Sequence, residues 1–362
     1  MKKKALLAHL PIWTLVAPIT GWLFFAGEKF DLGFIFLLCQ GVALIAAVLA
    51  AVHHAEVVAH RVGEPIGSLL LAISVTTIEV ALIIELMHTG GEGSSELARD
   101  TVFAAEMIII NGIIGLCLLI GGLKHREQSF SLDGVGASLT VLVAISVLAL
   151  ILPNFTTSIP GPFYSNKQLA FVAIVSLVLY GTFLAMQNVR HKDHFISKDE
   201  VVEHGHAGKP STQIAIISAV LLLVALSAVV LLAEALAPEI EESVVAAGAP
   251  KSIVGIIIAM VVLLPEGIAS VQAARKNKLQ ASLNLALGSA LASIGLTIPT
   301  VAFVSIYMGL PLTLGIDTKS TVLFILSLFV IMLSLKTGKT TMLQGVVLLV
   351  IFAVYLFTTI VP

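Results

Sequence analysis

Two glutamates lie in the middle of membrane-length apolar segments, at equivalent places in the two halves of the chain. Glu79 falls within residues 66–84 and Glu266 within residues 253–271, so 187 positions separate the two acids. A carboxylate at the depth of a bilayer costs on the order of 3 kcal/mol, and such residues mark ion or proton pathways. Both carboxylates therefore need compensating partners in whatever fold the chain adopts.

The same offset of 187 residues relates further pairs of identical residues, as expected of an internal repeat. Chance matches among Val, Ile and Ala would explain these pairs by themselves, but they would not explain a duplicated glutamate. The pairs are Val57 with Val244, Val58 with Val245, Ala59 with Ala246, Ile66 with Ile253, Ala72 with Ala259 and Val75 with Val262.

The composition is that of an integral membrane protein. Of the 362 residues 58% are hydrophobic and 12% are charged, and the mean hydropathy is +1.05. A net charge of -2 gives no reason to expect a nucleic-acid partner. Cys39 and Cys117 both lie in apolar segments and form neither a disulfide framework nor a metal motif. No protease or hydrolase signature is present, so we expect neither an enzyme nor a cofactor.

The apolar segments predict an all-α membrane protein with about eleven transmembrane helices, since about 20 apolar residues cross a bilayer. The basic, then apolar, N-terminus also fits a cleaved signal peptide, but it lacks a good small-residue cleavage site and is interpreted as the first span. The predicted spans are 6–26, 32–55, 66–87, 101–122, 134–152, 168–187, 212–235, 253–274, 280–308, 318–335 and 341–360.

The distribution of Lys and Arg predicts the orientation of these spans. Fifteen of the 20 fall on the side of the N-terminus, which places the N-terminus in the cytoplasm and the C-terminus outside a bacterial inner membrane. The spans that carry Glu79 and Glu266 then cross in opposite directions, as in transporters built from inverted repeats. The predicted organisation is a first helix in 1–31, a five-helix repeat in 32–187, a linker in 188–211 and a second five-helix repeat in 212–362.

Oxygen-bearing residues around the two glutamates are candidate cation ligands. Pro265 has no amide hydrogen and leaves the carbonyl of Val261 without its helical partner, which suits a hard cation, although an ordinary kink is the alternative. Thr76 and Thr77 precede Glu79, and their hydroxyls either coordinate a cation or bond back to the helix.

Two further polar residues lie at membrane depth in the fourth span. Asn111 is an uncharged amide at this depth. Glu106 is a third intramembrane carboxylate, and it acts either as a proton relay or as a residue near the outer interface.

The linker 188–211 is rich in His and acidic residues. His191, His194, His204 and His206 stand among Asp193, Asp199, Glu200 and Glu203. Such a cluster suits metal or pH sensing, but its spacing matches no defined site, and a solvated linker is the simpler interpretation.

The segment 265–299, PEGIASVQAARKNKLQASLNLALGSALASIGLTIP, resembles the second α-repeat of the cation/calcium exchanger superfamily. The segment 74–84, SVTTIEVALII, resembles the first, and the chain is most similar to the bacterial sodium–potassium and calcium/proton antiporters. The resemblance implies that Glu79 and Glu266 bind protons and cations in turn. It also implies that Ser289 and Asn111 are supporting ligands of the site. The chain departs from the family pattern where Val75-Thr76 and Val262-Leu263 replace Gly-Asn, and where Ala292 replaces a Gln.

The expected function is exchange of cytoplasmic Na⁺, K⁺ or Ca²⁺ for external protons, with the lipid bilayer and these inorganic ions as partners. Two carboxylates that share a site take up protons more readily than isolated ones, so protons and cations compete for the same oxygens. A cation channel or a cation/cation exchanger without proton coupling is the alternative. The sequence leaves the ion preference and the oligomeric state open.

Overall fold

The computed structural model describes residues 10–27, 33–63, 66–89, 94–191, 194–195, 210–248, 250 and 252–361, and these are almost entirely helical. The helices are α1 (Ile12–Gly27), α2 (Phe34–Val62), α3 (Ile66–Thr89), α4 (Ser94–Met107), α5 (Ile114–His125), α6 (Leu132–Ser146), α7 (Asn166–Ala185), α8 (Thr212–Ala246), α9 (Ser252–Val262), α10 (Leu264–Arg275), α11 (Leu279–Ala292), α12 (Ile298–Met308), α13 (Thr318–Leu335) and α14 (Met342–Ile360).

Four π-helical segments interrupt or extend these helices in the described residues. They are π1 (Ile108–Ile113), π2 (Val147–Ile151), π3 (Met186–Arg190) and π4 (Ser293–Thr297), and a 3₁₀ turn, Leu152–Phe155, follows π2. A π segment widens one turn of a helix and is frequent at functional sites.

The long apolar helices of the structure agree with the predicted class, an all-α membrane protein. Within the described residues, eight helical stretches are long and apolar enough to cross a bilayer, and the bent pair α9–α10 makes up to nine. Helix α1 and the stretch Leu69–Ile84 of α3 are apolar but shorter. Each of the eleven predicted spans overlaps a helix, while the number of membrane crossings stays a prediction.

The chain divides into two compact units. The first contains Met1–Leu86 and Ala207–Val254, and the second contains Met87–His206 and Gly255–Pro362. Each unit therefore draws helices from both predicted repeats. The repeats themselves are defined by sequence and orientation, and they stay a prediction.

The two longest helices, α2 and α8, pack against each other and against α1 in the first unit. A β-carbon at Gly21 of α1 would lie 3.2 Å from the β-carbon of Ala228 on α8, so glycine permits this close approach. His54 of α2 is fully buried, and its Nε2 lies 3.1 Å from the carbonyl oxygen of Thr14 on α1.

In the second unit, α5 and α14 cross at glycines, and a short antiparallel pair joins β1 (Gln128–Ser129) to β2 (Lys339–Thr340). Local sequence sets several helix starts. Ser165 and Gln168 form a capping box at the start of α7, and the Asp317 side chain accepts from the Ser320 amide at the start of α13. The second of these starts fixes α13, which packs against π1.

Candidate functional site

The span that carries Glu266 is broken next to this residue. Helices α9 and α10 meet at an angle of 55°, with Leu263 between them. Pro265 stands in the first turn of α10, and its missing amide hydrogen explains the break. The kink that the sequence offered as the alternative is thus present, and the role of the Val261 carbonyl as a cation ligand stays a prediction. In lipid such a break needs other partners for the freed backbone groups.

The break places opposite electrostatic groups side by side. Glu266 lies in the first turn of α10, where amide hydrogens and the positive end of the helix dipole favour an anion. The last turn of α9 ends in carbonyl oxygens, including that of Val261, and such oxygens suit a cation. Interrupted helices of this kind form the ion sites of many secondary transporters.

Segment π1 runs beside the broken span within the second unit. A β-carbon at Gly255 would come within 3.2 Å of the Thr101 amide nitrogen. A β-carbon at Gly267, the residue after Glu266, would lie 3.4 Å from Cδ1 of Ile113. The stretch from α4 through π1 and the broken span from α9 to α10 therefore run in the same direction. The end of π1 lies beside the start of α10.

Asn111, a predicted supporting ligand, lies in π1 and is fully buried. Its Nδ2 donates a hydrogen bond to Oγ of Ser327 on α13 at 2.9 Å. Its Oδ1 is buried and has no hydrogen-bond partner among the described residues. An amide oxygen in this condition is a candidate ligand for a cation.

Glu106, the predicted proton relay, is fully buried two residues before π1. Burial of the side chain does not distinguish a proton relay from a position near the outer interface, and both stay predictions. Carboxylates at membrane depth are rare and commonly serve ion or proton pathways, which favours the relay role.

The first unit holds Glu79, Thr76 and Thr77 on α3. Glu79 is only 5% exposed, and Thr76, three residues earlier, lies on the same helical face and is 7% exposed. The hydroxyl of Thr76 has no hydrogen-bond partner among the described residues, whereas Thr77 is exposed and donates to the carbonyl oxygen of Ile73 at 2.7 Å. Thr76 is therefore the better candidate ligand, and Thr77 follows the back-bonding alternative.

Ser289 is half-buried on α11, which packs against π1. Sequence reasoning missed Ser270, which is fully buried and has an Oγ without a hydrogen-bond partner among the described residues. Its spacing of four residues from Glu266 puts both side chains on one face of α10. That spacing was readable from the sequence, whereas its burial was not.

Part of the His-rich linker docks on the second unit. Phe195 is 5% exposed, its ring centroid lies 5.9 Å from that of Phe183, and its carbonyl oxygen accepts from Nδ2 of Asn284 at 2.5 Å. The rings of His191 and His194 lie 5.1 Å apart. This docked part departs from a wholly solvated linker, and His204, His206 and the four acidic residues of the linker lie outside the described residues.

Comparison with known families shows where this chain belongs. The family described as sodium/calcium exchanger protein matches residues 32–189 and 217–361, which together are most of the chain. The chain is a member of the sodium/calcium exchanger protein family. This membership confirms the predicted resemblance, and the family consists of transporters.

Related transporters match over nearly their whole length. The y4hA protein of Sinorhizobium fredii is 48% identical over 359 residues, which is 98% of either chain. The sodium-potassium/proton antiporter ChaA of Escherichia coli is 34% identical over 320 residues, covering 88% of this chain and 86% of ChaA.

Solved exchanger structures share the fold. YfkE superposes with a TM-score of 0.75 at 17% identity, covering 96% of this chain and 100% of that one. The H⁺/Ca²⁺ exchanger CAX superposes with a TM-score of 0.72 at 21% identity, covering 98% and 88%. At these identities the similarity establishes a helical, multi-span exchanger fold.

Proposed function

We propose that this protein is a secondary antiporter that moves Na⁺, K⁺ or Ca²⁺ out of the cytoplasm in exchange for external protons by alternating access. The observation that carries the proposal is the break at Pro265, which puts the Glu266 carboxylate at a helix start beside the carbonyl end of α9. Membership of the exchanger family and the likeness to a sodium-potassium/proton antiporter support it.

Glu79 and Glu266 are the residues that bind the proton and the cation in turn. A deprotonated carboxylate binds a cation, and a proton on the same oxygens displaces it, so competition for these oxygens couples the two fluxes. The deep burial of Glu79 and of the neighbouring Thr76 hydroxyl supports this role in the first unit. Asn111, Ser289 and Glu106 supply the supporting polar groups in the second.

Helices α2 and α8 change access to the site in this proposal. They are the longest helices of the described residues and occupy corresponding places in the two predicted repeats. Together with α1 and most of α3 they belong to one compact unit, which supports movement as a body. The family matches to 32–189 and 217–361 support the repeat boundaries on which this scheme rests.

The test is proton movement in everted membrane vesicles that contain the protein. A pH-sensitive dye is quenched by respiration, and Na⁺, K⁺ and Ca²⁺ are then added separately. We expect dequenching with at least one of them, loss of the signal in Glu266→Gln and in Glu79→Gln, and retention in the exposed control Glu127→Gln.

The outcomes separate the alternatives. Full exchange by a correctly inserted Glu266→Gln variant would overturn the assignment of this carboxylate. Cation flux measured with a tracer, but without any proton signal, would establish a channel or a cation/cation exchanger instead.

A further inference from the structure

We propose that Ser327 is a positioning residue of the cation site, which holds the amide of Asn111 so that its oxygen is presented as a ligand. The two residues lie on different helices and 216 positions apart, and both are fully buried. This inference rests on the proposed function, because it assigns a role within the same site.

The hydrogen bonds around Ser327 determine which way the amide faces. The Ser327 hydroxyl donates to the carbonyl oxygen of Leu323 at 2.8 Å. A serine has one hydroxyl hydrogen, so Oγ is left to Asn111 as an acceptor only. The nitrogen Nδ2 of Asn111 must therefore face Ser327, at the observed distance of 2.9 Å.

Met107 reinforces this orientation. Its sulfur lies 3.6 Å from Nδ2 of Asn111 and 3.6 Å from Oγ of Ser327. A thioether sulfur accepts hydrogen bonds and never donates them, so it too favours the amide nitrogen over the oxygen. Two acceptors thus select one of the two amide rotamers.

The selected rotamer directs Oδ1 away from both acceptors. This oxygen is buried and has no hydrogen-bond partner among the described residues. A buried amide oxygen without a partner destabilises the protein, and a hard cation or its water would satisfy it. Asn111 stands in π1, whose last residue Ile113 lies against Gly267 next to Glu266. The oxygen is therefore at the level of the broken span.

The proposal predicts a change in cation affinity when the hydroxyl is removed. In Ser327→Ala the amide is free to turn, so we expect the cation concentration for half-maximal exchange to rise about three- to tenfold, the equivalent of one hydrogen bond. The maximal rate and the amount of inserted protein stay near the wild-type values. Ser327→Thr retains a hydroxyl and restores the affinity at least in part.

The experiment is the vesicle assay with Na⁺, K⁺ and Ca²⁺ titrated separately, on five variants besides the wild type. Ser327→Ala and Ser327→Thr are compared with Asn111→Leu and with the double variant Ser327→Ala/Asn111→Leu. Ser334→Ala is the matched control, since Ser334 is a buried serine two turns further along α13. Thermal stability in detergent is measured on each purified protein.

A positioning role requires that Ser327→Ala has no further effect on affinity once Asn111 is replaced by Leu. An equal loss in both backgrounds, or an equal loss in Ser334→Ala, would show a structural role and overturn the inference. The inference is also overturned if the wild type exchanges cations and Glu266→Gln is inactive, but Ser327→Ala binds cations with wild-type affinity. A wild-type protein that moves no protons with any of the three cations instead overturns the proposed function itself.

Discussion

Gly345 of α14 lies directly against the backbone of Leu119 on α5. A β-carbon at position 345 would come within 2.4 Å of the Leu119 amide nitrogen and within 2.6 Å of the Gly115 carbonyl oxygen. Backbone atoms cannot turn aside as a flexible side chain can, so any larger residue must push the two helices apart. Close backbone approach at small residues is a principal source of helix association in membranes.

We therefore expect Gly345→Ala to lower the free energy of unfolding by about 1–3 kcal/mol, the usual cost of overpacking. Thermal unfolding of the purified protein in detergent measures this effect. Gly136→Ala is the control, because a β-carbon at Gly136 of α6 meets nothing within 4 Å. Equal melting temperatures for the two variants would contradict the crossing seen here.

Arg99 connects the start of α4 to the segment after α12. Its Nε donates to Oδ1 of Asp100 at 2.8 Å, its Nη2 lies 3.1 Å from Oε2 of Glu96, and its Nη1 donates to the carbonyl oxygen of Gly315 at 3.1 Å. The Arg99 and Asp100 side chains are only 12% and 19% exposed. Removing the Arg99 guanidinium therefore leaves the largely buried carboxylate of Asp100 without its positively charged partner.

Arg99→Met is expected to cost about 2–4 kcal/mol of stability, somewhat less than the loss of a partner from a fully buried pair. The matched variant is Lys339→Met, which breaks the exposed pair between Lys339 and Glu127 and should cost less than about 1 kcal/mol. Denaturation of both variants under the same detergent conditions gives the comparison. A larger loss of stability in Lys339→Met than in Arg99→Met would contradict the difference in burial on which this prediction depends.

Pro265→Ala gives the α9–α10 junction an amide hydrogen and favours a straighter helix. Since Glu266 follows directly, its carboxylate moves relative to the carbonyl end of α9. A displacement of about 1 Å at a functional group lowers a rate by as much as about 100-fold, so we expect the maximal exchange rate to fall about tenfold or more. Pro238→Ala, in the interior of α8, is the control proline. Unchanged exchange in Pro265→Ala would mean that the break has no part in transport.

The charge of Asp317 is expected to make the stability of the folded protein depend on pH in the acid range. Partial burial would raise the pKa of Asp317, but hydrogen bonds from the Ser320 amide and hydroxyl and the nearby Lys319 charge hold it below its ordinary value of 3.8. A carboxylate with a lowered pKa stabilises the folded state above the unfolded-state pKa, and this contribution is lost as the pH falls through the folded-state pKa.

The stabilisation from Asp317 is therefore fully present above its ordinary pKa of 3.8 and is lost as the pH falls through the lower folded-state pKa, where the start of α13 loses its charged cap. Asp317→Asn keeps an oxygen acceptor and removes the titration. The melting temperatures of the wild type and of Asp317→Asn, measured between pH 3 and pH 6, should approach each other at the acid end. Parallel curves over this whole range would disprove the role of the Asp317 charge.

The sequence predicted the helical class, the position of each apolar helix and the break at Pro265. These follow from local chemistry: in lipid the backbone must satisfy its own hydrogen bonds, so an apolar run of about 20 residues becomes a helix wherever it stands. A proline without an amide hydrogen interrupts that pattern at a position fixed by the sequence. The functional interest of Asn111 was also readable, because a polar residue at membrane depth is costly.

Only the tertiary structure decided which faces of these helices meet. Ser327 pairs with Asn111, Gly345 meets Leu119 and Arg99 reaches Gly315 across more than 200 residues. In a soluble protein an amphipathic pattern would indicate the buried face of each helix. Lipid is as apolar as a protein core, so that pattern is missing here, and packing of small residues and a few buried hydrogen bonds selects the partners instead.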